Sequence, residues 1–138
     1  MKKVVVLFLI ILLMLSFVSC DNAEIEVGSK DGVVYFDYTN MTPNITVNKD
    51  DEKLLVEDPA FFEKLVNYID GKPEQQTPIY YSDYIYLVEI GKYDFALHEE
   101  HIFIYSPLGH NVKGVKIIVV ECTKKEIAEL VELLDAVK

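Results

Sequence analysis

Arginine and tryptophan are absent from this 138-residue chain, and cysteine occurs only twice. Thirteen lysines stand against 23 acidic residues, for a formal net charge of −10. Lys2 and Lys3 lie in the first 19 residues, which hold no acid, so the remainder has 11 lysines against 23 acids and a charge of −12. Nucleic-acid binders gather positive charge into a patch, and this chain is acidic throughout, so nucleic acid is excluded as a partner. No Gly-rich phosphate loop and no Gly-x-Ser-x-Gly elbow occurs. Two cysteines do not make a disulfide framework. Beyond residue 19 the chain has about 119 residues, enough for one ordinary domain and too few for a multidomain enzyme. Disorder is excluded by 12% aromatic residues and by long Val/Ile/Leu runs.

Among the residues present, the first twenty are the most specific. Lys2 and Lys3 give a positive start, and residues 4–18 are apolar except for Ser16. Fifteen residues are short for a membrane-spanning helix, which takes about 20, and fit the apolar region of an export signal. The run ends in Phe17-Val18-Ser19-Cys20. These four residues resemble the lipobox of bacterial lipoproteins, with Phe17 where that family prefers leucine. The resemblance covers only residues 1–20. It implies cleavage before Cys20, a covalent diacylglycerol on its thiol and often an N-acyl chain such as palmitate. Two or three acyl chains anchor stably where one is marginal. The expected organisation is therefore a signal peptide over 1–19, a lipidated Cys20 with a short tether over 20–24, and a single domain over 25–138. The expected location is the extracytoplasmic side of the bacterial cell membrane. With Cys20 a thioether, Cys122 has no disulfide partner and the domain relies on its core.

Residues 25–27 and 33–38 read as strands around Asp31-Gly32, a strong hairpin signal. Residues 45–47 and 53–56 form a further pair about Asp50-Asp51. Asp58-Pro59 opens a helix over about 58–70, with Phe61, Phe62, Leu65, Val66 and Ile69 on one face and Gly71 ending it. Strands are expected over 79–90, 93–98, 102–105 and 115–120. Thr123 to Glu126 is a capping box that starts a second amphipathic helix over about 123–137. Neighbouring strands with two helices predict an α+β fold, a mainly antiparallel sheet with both helices packed on one face. The opposite face is expected to be wet or bound to something. The layout resembles that of small uncharacterised lipoproteins of Gram-positive bacteria, a likeness of pattern that carries over no catalytic residue.

The residues with candidate chemistry are few. His98-Glu99-Glu100-His101 brings two imidazoles and two carboxylates to one turn, a donor set that suits zinc, with His110 as a further ligand if its loop folds back. The zinc-protease motif differs, having two His four residues apart on a helix. Ser106 and His110 share a loop but lack an elbow or oxyanion signature, which ranks an envelope hydrolase last. Cys122 is either a reactive thiol beside a capped helix or a small apolar residue. The acidic groups 50–52 and 57–58 lack calcium-loop spacing. Nine tyrosines are the compositional outlier. Tyr80, Tyr84 and Tyr86 share one strand parity, and Phe103 and Tyr105 share another. Facing the helices they are core, and facing away they form a binding strip. The leading expectation is a membrane-anchored, non-catalytic binding module for an envelope protein or peptide, with a metal-binding lipoprotein as the alternative.

Overall fold

A computed structural model describes residues 25–39, 43–76, 83–107 and 115–138. The expected signal segment, Cys20, Tyr80 and His110 lie outside them.

Two hairpins open the domain. Strands β1 (Ile25–Lys30) and β2 (Val33–Tyr38) pair antiparallel as a two-stranded sheet. Asp31 and Gly32 between them have φ of 55° and 77°, the left-handed pair that a two-residue type I′ turn requires. Strands β3 (Ile45–Lys49) and β4 (Glu52–Leu55) are joined the same way through Asp50 and Asp51, at φ 52° and 63°. Helix α1 (Pro59–Ile69) follows, capped by the Asp58 carboxylate, which accepts from the Ala60 amide at 2.9 Å. Strands β5 (Tyr86–Ile90), β6 (Tyr93–Leu97), β7 (His101–Pro107) and β8 (Val115–Glu121) form a meander, and helix α2 (Lys124–Asp135) closes the chain. Both halves of the Thr123/Glu126 capping box are made, at 3.1 and 3.0 Å.

The large sheet has six strands in the order β4-β3-β5-β6-β7-β8, antiparallel at every pairing. The α+β class expected from the sequence is the observed one. Alternation along the strands sends Ile45, Val47, Val88, Ile90, Phe95, Leu97, Ile102, Ile104, Ile118 and Val120 to one face. Onto that face pack Phe61, Leu65 and Ile69 of α1 and Ile127, Leu130 and Leu134 of α2, all at most 2% exposed. The β1–β2 hairpin completes the same layer. Phe36 stacks on Phe95 of β6 with centroids 5.9 Å apart and meets Phe62 of α1 edge-on at 5.7 Å. Such a core supplies the cohesion that a disulfide would otherwise add.

Residues 70–75 stitch the hairpin to the sheet. Val34 donates to the Lys72 carbonyl, Gly71 to that of Val34, and Phe36 to the Asp70 carboxylate. Pro73 pairs with Val33, Glu74 with Val120, and Gln75 donates to the Val119 carbonyl, so the segment runs along the outer edge of β2 and reaches that of β8 at Glu74 and Gln75. The fifth strand is shorter than the sequence suggests. Residues 83–85 are not in a strand, and residues 79–82 lie outside the described residues. The face opposite the helices is also not wet at its centre. Ala96, Phe103 and Val119 are buried there as a second apolar cluster, with Leu87 and Tyr105 against it.

Candidate binding surfaces

Register decides what the expected site residues can do. The turn between β6 and β7 is tight: His98 donates its amide to the His101 carbonyl at 2.8 Å, one step beyond the Leu97–Ile102 pair. Leu97 and Ile102 face the helices, so His98 and His101 face each other on the opposite side. Both imidazoles are buried, at 5% and 8% exposure. The His98 ring tilts against Phe103 with centroids 4.5 Å apart. Burial holds its pKa below the usual histidine value, the Asp83 backbone acts the other way, and His101 lowers it further. Burial thus favours the neutral imidazole of His98. Glu99 and Glu100 are exposed on the turn, so the carboxylates and imidazoles of this motif separate. Glu121, opposite His101, accepts a hydrogen bond from the Gln75 side-chain Nε2 at 3.0 Å. Among the described residues no three His, Cys, Asp or Glu side chains converge as a metal site would need.

The aromatic residues divide between the two faces. Tyr86 belongs to the helix side with Val88 and Ile90, and its hydroxyl donates to the Asp135 carboxylate at 2.6 Å. That bond, with burial, pushes its pKa up to about 12. Phe103 and Tyr105 belong to the opposite side, where Phe103 is buried and Tyr105 half-buried beside exposed Ile117. Tyr84 precedes β5 and is exposed. Of the expected strip, Tyr84, Tyr86, Phe103 and Tyr105 thus do not share one surface, and Tyr80 lies outside the described residues. Strand parity was legible, but the choice of face depends on which residues the helices cover.

The remaining nucleophile candidates are placed by the same geometry. Ser106 lies five residues along β7 from His101, about 17 Å at strand rise, and on the other face. Neither described histidine serves it as a base. Cys122 is buried, its thiol donates to the Tyr68 carbonyl at 3.9 Å, and burial pushes its pKa up to about 11. It is a core thiol, not a thiolate. Asp50 and Asp51 make the β3–β4 turn and Asp58 is a helix cap.

The surface that sequence reasoning passed over is the outer face of the β1–β2 hairpin. Two clefts border it, of about 540 Å³ at the Ile25–Tyr38 end of the hairpin and about 570 Å³ on the outer face itself. The first runs from Ile25 and Tyr38 to the Gly91-Lys92 turn, the second from Tyr35 to Lys30, Asp31 and Val33. Both are lined by Glu26 and Asp37, which stand directly opposite each other in register. Gly28 opposes Tyr35, and a Cβ at Gly28 would come within 2.4 Å of the Tyr35 hydroxyl oxygen. The ring thus occupies the space that a side chain at residue 28 would fill. Its hydroxyl donates to Glu26 at 3.4 Å, and desolvation together with that carboxylate raises its pKa. A glycine inside a strand signals such a close approach, and Gly28 was the available clue.

Compared with family models, curated proteins and solved structures, the chain matches none of them. Among the described residues no helix is long and apolar enough to cross a membrane.

Proposed function

We propose that this protein is an extracytoplasmic lipoprotein, held on the bacterial cell membrane through diacylglycerol on Cys20, whose α+β domain is a non-catalytic binding module. The observation that carries the reading is the contiguity of two segments. A basic, short apolar leader ends at Ser19-Cys20, and the first strand begins at Ile25. Five residue steps reach at most about 18 Å, so a lipid on Cys20 would keep the domain beside the bilayer. The burial of His98, His101 and Cys122, with the raised Cys122 pKa, supports binding over catalysis, because these groups are withdrawn from substrate. An envelope protein or peptide is the partner class, and the −12 charge of the domain favours a basic one.

The test is fractionation of the full chain made in a bacterial host fed an alkyne-bearing fatty acid. The wild type is expected in the membrane fraction with the label. Cys20→Ser is expected to lose both. A Cys20→Ser protein that keeps the label would refute lipidation at this residue.

One observation favours a second reading, a metal-binding lipoprotein: His98 and His101 face each other across a two-residue turn, where burial favours the neutral imidazole of His98. Zinc would find two imidazoles there. A rise in melting temperature with zinc, lost in His98→Ala/His101→Ala, would establish this reading; no rise in the wild type would remove it.

A further inference from the structure

The outer face of the β1–β2 hairpin combines a free strand edge with a groove of one dominant charge. Among the described residues β1 pairs with β2 alone, which leaves its other edge open over six residues. The second open edge, β4, has four residues. Open edges are templates for an added strand, with backbone bonds giving affinity and alternate side chains giving specificity. On β1 the outward positions are Glu26, Gly28 and Lys30. A strand added there places its own outward side chains opposite these three.

Two features select what those side chains must be. Glu26 and Asp37 are like charges directly opposed across the strand pair, an arrangement that weakens a hairpin unless a cation sits between them. Neither makes an ion pair with a described residue. Beside them Tyr35 leans over Gly28 toward the β1 edge, so its hydroxyl and the Glu26 carboxylate emerge together. A lysine or arginine opposite Gly28 would meet the Tyr35 ring from one side and Glu26 from the other, a cation–π contact backed by a carboxylate. Val33, 46% exposed, offers apolar contact at the Lys30 end of the groove, whereas Tyr38 turns its ring to Phe62 on the helix side. Lys30 and Lys92 lie at the two ends and leave the acidic centre to the incoming cation.

We infer that the β1–β2 hairpin is a docking site for an extended, basic peptide segment of a partner protein, added at the edge of β1 with a lysine or arginine seated at Glu26, Asp37 and Tyr35. This deepens the binding-module reading and rests on it. Anionic lipid is the less suitable occupant, since Glu26, Asp31 and Asp37 repel it. A second copy is disfavoured by the −12 charge that each domain carries.

The experiment uses the full chain in a neutral detergent. Fluorescence anisotropy follows two synthetic ten-residue probes, one alternating valine with lysine and one alternating valine with glutamate. The lysine probe is expected to bind and the glutamate probe not to. Glu26→Gln/Asp37→Asn and Tyr35→Ala should each weaken binding by about tenfold or more. Asp50→Asn/Glu52→Gln makes the same charge change at the β4 end and should leave affinity unchanged. Equal losses in the two double variants would reduce the effect to diffuse charge and overturn the inference. So would absence of binding, dimerisation through β1, or uptake onto phosphatidylglycerol vesicles that Lys92→Gln abolishes. Thermal melts check that each variant is folded. Failure of the anchor reading would appear as an unmodified Cys20 and leave probe affinity as it was.

Discussion

Lys49 illustrates how far one half-buried charge contributes to this fold. Its ammonium donates to the carbonyls of Asp135 and Val137, both at 2.9 Å, at the C-terminus of α2. The last carbonyls of a helix lack intrahelical partners, and a cation there satisfies them and meets the negative end of the helix dipole. The sequence places no basic residue in the last turn of α2, so β3 supplies the cation. Lys49→Met keeps the aliphatic stem and removes two charge-assisted bonds. With the group partly solvated, the loss should be about 1 kcal/mol. Lys53→Met is the comparison. Lys53 pairs with Glu89 at 3.1 Å, with side chains 64% and 37% exposed, and such a pair contributes about 0–0.5 kcal/mol. Circular dichroism melts of the full chain should show Lys49→Met lowered by roughly 4–6 °C, with Lys53→Met within a degree or so of wild type. Equal shifts would refute the reasoning, since the effect would then follow net charge and not the helix end.

Thr123→Ala removes the cap that holds the Glu126 amide and should lower stability by about 1 kcal/mol; an unchanged denaturation midpoint would deny the capping box its role. Asp51 sits at φ 63° in the second turn position, where Asp31-Gly32 has glycine, so Asp51→Gly should raise stability by about 0.5–1 kcal/mol in urea melts. His98 titrates below its unfolded value, so the unfolded chain takes up the proton first as pH falls. Its contribution is complete above pH 6.5 and declines as pH drops below that toward the lowered folded value. The melting temperature should therefore fall between pH 7 and 5, and His98→Leu should fall less over that range; parallel curves would show that His98 is not the group responsible.

The parts of the fold legible in the sequence are those fixed by local chemistry. Asp31-Gly32 announces its turn, Asp58-Pro59 and Thr123–Glu126 announce their helices, and the β-branched run before Cys122 announces a buried strand. What escaped depends on contacts between distant residues. Residues 72–75 bridge the edges of β2 and β8; they carry no strand pattern and owe their path to Val34 and Val119. Tyr86 shows why the aromatic set divided. Its ring packs under α2 and its hydroxyl reaches Asp135, a use of one side chain in both core and surface that parity does not reveal. The histidine motif was visible as four consecutive polar residues. A two-residue turn then sends the imidazoles onto a buried face and leaves the carboxylates in solvent. The hairpin groove lacked a sequence motif, because Glu26, Tyr35 and Asp37 meet only through strand register.

The intact mass of the protein extracted from bacterial membranes decides whether Cys20 carries the anchor. The expected chain has lost residues 1–19 and carries diacylglycerol on Cys20. A chain beginning elsewhere, or one with an unmodified Cys20 thiol, would contradict it.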